Sequence, residues 1–151
     1  TISQTNIKLF EEYMDDYDNG GQRLIEHKDA DIAFSPKYVG NGILSYQPIA
    51  NLSADFIYQY VCSQYLDNTE NDSRKLNAYS ICNLRFNYSI KNNESQLPLI
   101  ELGLQINNLF SEKYESNGYT YSYLYSGKTT TENFYFPQAG INFLGSLRVR
   151  F

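Results

Sequence analysis

The 151 residues contain no tryptophan, a single histidine and methionine, two cysteines and four prolines. With His27 alone, a histidine-based catalytic or metal cluster is unavailable. Cys62 and Cys82 have no metal-type spacing and are too few for a disulfide framework. No phosphate-binding glycine loop and no Gly-x-Ser-x-Gly nucleophile elbow occurs, so neither enzymatic activity nor a cofactor is expected. No apolar run approaches the roughly 18–20 residues that a membrane-spanning helix needs. The net charge of −5 argues against nucleic-acid binding as a main role. The opening "TISQTNIKLF" is neither a signal nor a transit peptide, so the true start of an exported protein is expected upstream.

Aromatic residues are abundant, with 15 Tyr and 9 Phe. A tyrosine has an apolar ring and a wet hydroxyl, which suits the two interfaces of a bilayer and also ligand-contacting loops. The mean hydropathy of −0.50 does not exclude a membrane β-barrel, because half of each barrel strand faces water.

Side chains alternate over long stretches, the signature of strands with two unlike faces. In the closing "NFLGSLRVRF", Phe143, Gly145, Leu147, Val149 and Phe151 share one side, and Leu144, Ser146, Arg148 and Arg150 share the other. The same period runs through 52–66, 80–90 and 99–108, where Ile100, Leu102, Leu104 and Ile106 oppose Glu101, Gly103, Gln105 and Asn107. These lengths match the ~9–11 residues of a tilted membrane strand better than the ~5–6 of a soluble one. Weaker alternation predicts strands over 5–16, 23–34 and 42–48. Short connections at 17–22, 48–52 and 91–98 alternate with longer ones at 35–41, 67–78 and 110–140, the asymmetry of an outer-membrane barrel. The fold expected is therefore all-β: an antiparallel up-and-down transmembrane barrel, with about seven strands in these residues.

Several local features invite a functional reading. "DDYDNGG" at 15–21 resembles a calcium loop superficially, but the ligand spacing fails and a plain turn is expected. Pairing of 52–66 with 79–90 about residue 72 would set Cys62 opposite Cys82, as a disulfide or as two thiols. Pairing of the next hairpin about residue 93 would set Arg85 opposite Glu101 as an ion pair on the polar face. That face, with Arg85, Glu101, Gln105, Arg148 and Arg150, is assigned to the lumen. In the long loop, Tyr119, Tyr121, Tyr123 and Tyr125 would line one side of a hairpin, either binding a ligand or packing as an interfacial girdle.

Two C-terminal stretches, "INNLFSEKYESNGY" at 106–119 and "YFPQAGINFLGSLRVRF" at 135–151, resemble the end of TonB-dependent outer-membrane receptors. Ile141 stands where that family often has Arg. "DDYDNGGQRLIEHKDADIAFSP" and "YVCSQYLDNTENDSRKLNAY" look like the region before it. The resemblance implies a barrel of about 22 strands with a plugged lumen, of which residues 1–151 would be the C-terminal portion. It further implies residence in the Gram-negative outer membrane with the C-terminus in the periplasm. The implied partners are membrane lipid, the TonB system acting through a plug domain absent from this chain, and the barrel-assembly machinery reading Phe151. The implied activity is energised uptake of a scarce ligand, an iron–siderophore complex first among the candidates. The competing expectation is a small self-contained barrel serving a structural or adhesive role; a soluble sandwich enzyme is disfavoured by strand length.

Overall fold

A computed structural model describes residues 1–90 and 99–150. Among the described residues every regular element is a strand: β1 (Asn6–Asp16), β2 (Gln22–Asp31), β3 (Val39–Ile49), β4 (Leu52–Val61), β5 (Gln64–Tyr65), β6 (Lys75–Leu76), β7 (Tyr79–Ile90), β8 (Leu99–Asn107), β9 (Glu115–Tyr125), β10 (Lys128–Pro137) and β11 (Asn142–Arg150). The chain divides into two compact units, one of residues 1–39, 61–79 and 114–138, the other of residues 40–60, 80–113 and 139–151.

The second unit holds a five-stranded open sheet in the order β11-β8-β7-β4-β3. Antiparallel pairing sets Leu84, Phe86, Tyr88 and Ile90 opposite Ile106, Leu104, Leu102 and Ile100, which in turn face Phe143, Gly145, Leu147 and Val149. The other face carries Arg85, Asn87 and Ser89, then Gln105, Gly103 and Glu101, then Leu144, Ser146 and Arg148. Alternation in the sequence thus becomes one continuous apolar face and one polar face. On the polar face, Ser45 Oγ donates to Asp55 at 2.6 Å and Asn87 Nδ2 to Ser53 Oγ at 3.5 Å. Gly103 admits the Ser146 hydroxyl, with which a Cβ at that position would clash. The six buried apolar side chains among the described residues (Met14, Ala30, Val61, Leu66, Leu76 and Leu124) all belong to the other unit. Phe143 and Leu147 remain 65% and 68% exposed.

Asn108 closes the β8 end of this sheet. It adopts a left-handed backbone (φ 49°), which an asparagine tolerates better than most side chains. Its amide donates to the carbonyls of Glu112 and Ala139, at 2.9 and 3.1 Å, and its side-chain oxygen accepts the Glu112 N–H. Its own N–H donates to Asn83 Oδ1 at 2.8 Å. The asparagine of the "NLF" stretch is therefore a turn organiser, buried because all its polar groups find partners.

The first unit is built on a sheet in the order β10-β9-β1-β2. β1 and β2 form one antiparallel hairpin and β9 and β10 another. The two hairpins join through a parallel contact of only two residues, Asp15 and Asp16 with Tyr123 and Leu124. The segment with the β5–β6 hairpin covers one face of this sheet, contributing Leu66 and Leu76 to the core. Gly118 accommodates it: a Cβ there would sit 3.1 Å from Leu66 Cδ2 and 2.5 Å from the Phe134 carbonyl.

Several expectations need correction. The wall-like sheet contains five strands rather than seven, because the predicted strands 5–16 and 23–34 pair with β9–β10 instead. Alternation reports that a strand has two faces, not which sheet it joins. The predicted strand 52–66 breaks at Val61 and resumes as β5. Arg85 faces Gln105, four residues along β8 from the expected Glu101, so no Arg85–Glu101 pair forms. The shift is even, so every side chain keeps its face. The expected turn 91–98 and the terminal Phe151 lie outside the described residues.

Candidate functional site

Two surfaces concentrate polar and aromatic groups, one on each unit. On the five-stranded sheet, Arg148 Nη1 lies 3.1 Å from Glu101 Oε2, and Arg150 Nη2 lies 3.8 Å from it. Glu101 thus finds its partners on β11 rather than at Arg85. The five residues assigned to the polar face (Arg85, Glu101, Gln105, Arg148 and Arg150) do share it by register. Both arginines are well exposed, so this pairing is worth ~0–1 kcal/mol and shapes the charge of the face more than its stability. A shallow groove of about 370 Å³ runs over Gly103, between Asn87, Ser89, Ser146 and Arg148.

The aromatic surface lies on the β9–β10 hairpin. Ser126 (φ 51°) and Gly127 (φ 69°) form a tight turn with two left-handed residues, the geometry that matches the natural twist of paired strands. In β9 the even positions Gly118, Thr120, Ser122 and Leu124 are small or apolar and face the covering segment. The odd positions Tyr119, Tyr121, Tyr123 and Tyr125 consequently share the open face. β10 brings Glu132 opposite Tyr121 and Phe134 opposite Tyr119. The ring of Phe134 stacks on Tyr119 at 4.8 Å and lies 6.0 Å from Tyr121, while Tyr121 and Tyr123 stand 6.1 Å apart.

Both Tyr121 and Tyr123 donate their hydroxyls to the Glu132 carboxylate, each at 2.9 Å. Hydrogen bonding to Glu132 raises both phenol pKa values above the ordinary 10, so both stay protonated at neutral pH. Tyr17, from the tip of the β1–β2 hairpin, meets Tyr123 edge-on at 5.7 Å and 76°. With Tyr125 these residues enclose an open hollow of about 460 Å³, within the size range of small-ligand sites.

The tip residues 17–21 fix that arrangement. The Asp18 carboxylate accepts the backbone N–H groups of Ser126 and Gly127, both at 2.7 Å, which clamps one hairpin tip to the other. Asp16 accepts the N–H groups of Asp18 and Asn19 and the Asn19 side-chain amide. Those bonds hold its carboxyl below the ordinary pKa of 3.8, the Asn19 side chain contributing most. Of residues 15–21, Asp15 and Asp16 end β1 and 17–21 form the turn; no group of three or more potential metal ligands occurs among the described residues.

Beneath the sheet, Arg74 is 4% exposed and is held by Asp67 at 2.6 Å, Glu12 at 2.8 Å and Ser122 at 2.5 Å. Burial disfavours the guanidinium charge, but the hydrogen bonds to Asp67 and Glu12 outweigh it and its pKa rises. His27 lies 2.9 Å from the same Glu12. This cluster ties the covering segment to β1 and β9. Cys62 and Cys82 are free thiols; Cys62 Sγ accepts the Tyr38 N–H at 3.2 Å.

The sequence reading located the four tyrosines but missed Tyr17, Glu132 and Asp18. Glu132 was recoverable: placing the turn at Ser126-Gly127 and counting back sets it across from Tyr121. Arg74 gave no signal, because "NDSRKL" has the composition of a solvated loop. No family model, no curated protein and no solved structure matches this chain.

Proposed function

We propose that this chain forms part of the wall and the external loops of an outer-membrane receptor of the TonB-dependent kind. In this reading it is no enzyme: it serves energised uptake of a scarce ligand, with an iron–siderophore complex as the first candidate. One observation carries the reading. The five-stranded sheet has a continuous apolar face, and no apolar side chain of its unit is buried among the described residues. Fully burying a Leu or Phe side chain is worth about 1.5–3 kcal/mol, so leaving Leu44, Leu102, Leu104, Phe143 and Leu147 between 42% and 71% exposed to water forfeits roughly 4–9 kcal/mol. That is comparable with the net stability of a typical domain, ~5–15 kcal/mol. A hydrocarbon environment on the apolar side removes the penalty, and a polar face with Arg148 and Glu101 suits a wet lumen. In an outer-membrane barrel the plug and the remaining wall strands would come from other parts of the receptor. The long segments 61–79 and 114–138, both in the unit that bears the tyrosines, suit external loops.

The test is uptake of labelled iron–siderophore complexes, and of vitamin and haem alternatives, by cells with and without the whole gene. The measurement is repeated with the inner-membrane proton gradient collapsed. Gradient-dependent uptake that disappears with the gene supports the reading. Unchanged uptake of every candidate, together with extraction of the protein by salt without detergent, refutes it.

A further inference from the structure

We propose that the hollow formed by Tyr17, Tyr121, Tyr123, Tyr125 and Glu132 binds the organic ammonium group of a small soluble molecule. The inference names a chemical class for the ligand and so rests on the receptor reading, although the hollow itself is defined by one unit alone. Three features converge on a cation.

The first is the arrangement of the rings. Tyr121 and Tyr123 stand nearly parallel (27°), whereas Tyr17 stands at 76° to Tyr123, so the rings beside the hollow lie in two crossed planes instead of one closed stack. Aromatic walls that meet at an angle suit a rounded, poorly hydrated cation such as a methylated ammonium, which gains from several ring faces together.

The second is the carboxylate. Glu132 accepts two phenol hydroxyls, which orient it without neutralising its charge. Among the described residues no Lys, Arg or His pairs with it, although Arg74, Lys75 and Lys37 of the same unit each have acidic partners. Lys128 lies opposite Tyr125 beside the hairpin turn, four residues along β10 from Glu132, and forms no ion pair with it. A partly screened carboxylate beside tyrosine rings lacks only the positive charge that would complete it.

The third is rigidity. The Asp18 clamp on Ser126 and Gly127 holds Tyr17 against Tyr123, so the walls exist before a ligand arrives. A preformed hollow loses less entropy on binding than one that must assemble. The site also sits in a chain of net charge −5, which favours approach of a cation.

The probe is choline, with its neutral isostere 3,3-dimethylbutan-1-ol as the control, titrated by calorimetry into the full-length protein in nonionic detergent. Choline is expected to saturate with a Kd on the order of 1 mM, an affinity suited to an exposed cage. The isostere is expected to bind at least about tenfold more weakly. Glu132→Gln and the double change Tyr121→Leu with Tyr123→Leu are each expected to weaken choline about tenfold or more. Tyr121→Phe with Tyr123→Phe keeps the rings and should stay within about threefold of the parent, which separates loss of the cage from loss of folding. Equal binding of the isostere, undiminished binding by Glu132→Gln, or no saturable binding of choline overturns the cation site. Because binding is measured directly on the protein, that result leaves gradient-dependent uptake and the membrane location standing or falling on their own measurements.

Discussion

The Asn108 side-chain amide donates to the Ala139 carbonyl at 3.1 Å, tying the end of β8 to the segment that leads into β11. Asn108→Ala removes this bond and the two with Glu112, leaving backbone groups of a tight turn without partners. Net bonds of ~1 kcal/mol each, plus the cost of unsatisfied groups, give an expected loss of about 2–4 kcal/mol. Asn108→Gly keeps the left-handed backbone but not the amide, and should lose most of the same amount. Denaturant unfolding of the full-length protein in detergent checks both. Wild-type midpoints for the two variants would show that the turn is held by other contacts.

Arg74→Met leaves Glu12 and Asp67 without their shared cation in a poorly hydrated place. Removing one member of a buried ion cluster costs about 3–5 kcal/mol. Limited proteolysis should then cut within residues 67–74 faster than in the wild type. Resistance equal to wild type would mean that Leu66 and Leu76 alone anchor the segment.

How much of this could be read beforehand differs between the two units. In β8 and β11 the period of two assigned every side chain to its face, because apolar and polar residues alternate along both strands. Register was not legible: Arg85 and Glu101 sit on the same face whether the hairpin pairs them or offsets them by four residues. Sheet membership was also hidden. Residues 6–16 alternate as a barrel strand would, yet β1 joins β9 through Tyr17, Asp18 and a two-residue contact that no local pattern announces. Arg74 stayed invisible because, Asp67 apart, the partners that bury it are far away in sequence, Glu12 by 62 residues and Ser122 by 48.

Acid should loosen the turn after β1. The Asp16 carboxyl is held below its ordinary pKa of 3.8 by Asn19. A depressed pKa contributes stability that is complete above the unfolded value and is lost as pH falls through the lower folded one. Amide protection factors of residues 17–21, taken relative to the intrinsic exchange rate at each pH, should therefore fall below about pH 4 in the wild type. In Asp16→Asn the exchange should be faster at neutral pH and lose that acid dependence. A flat wild-type profile from neutral pH down to the acid limit would contradict the assignment.

Asp18→Ala should release Ser126 and Gly127 from their shared acceptor while leaving the type of turn intact, since its two left-handed residues remain. Charge-assisted bonds are worth ~1.5–3 kcal/mol when well formed and less on an exposed rim, so local opening near 1 kcal/mol is expected. A nitroxide pair at residues 20 and 129 reports it as a broadened distance distribution. An unchanged, narrow distribution would show that the Tyr17–Tyr123 contact alone holds the tips.

The orientation of the five-stranded sheet is tested most directly by a tryptophan scan read against the unsubstituted protein, since these 151 residues contribute no tryptophan to the background. Single Trp residues replace Leu102, Leu104 or Leu147 on one face and Gln105, Ser146 or Arg148 on the other, in the full-length protein reconstituted in bilayers. Brominated lipid quenches tryptophans that touch acyl chains, and aqueous acrylamide quenches those in water. The expected result alternates with the strand period: lipid quenching at 102, 104 and 147, and none at 105, 146 and 148. Quenching by acrylamide at both faces, with no response to brominated lipid anywhere, would contradict a membrane wall and with it the receptor function proposed for this chain.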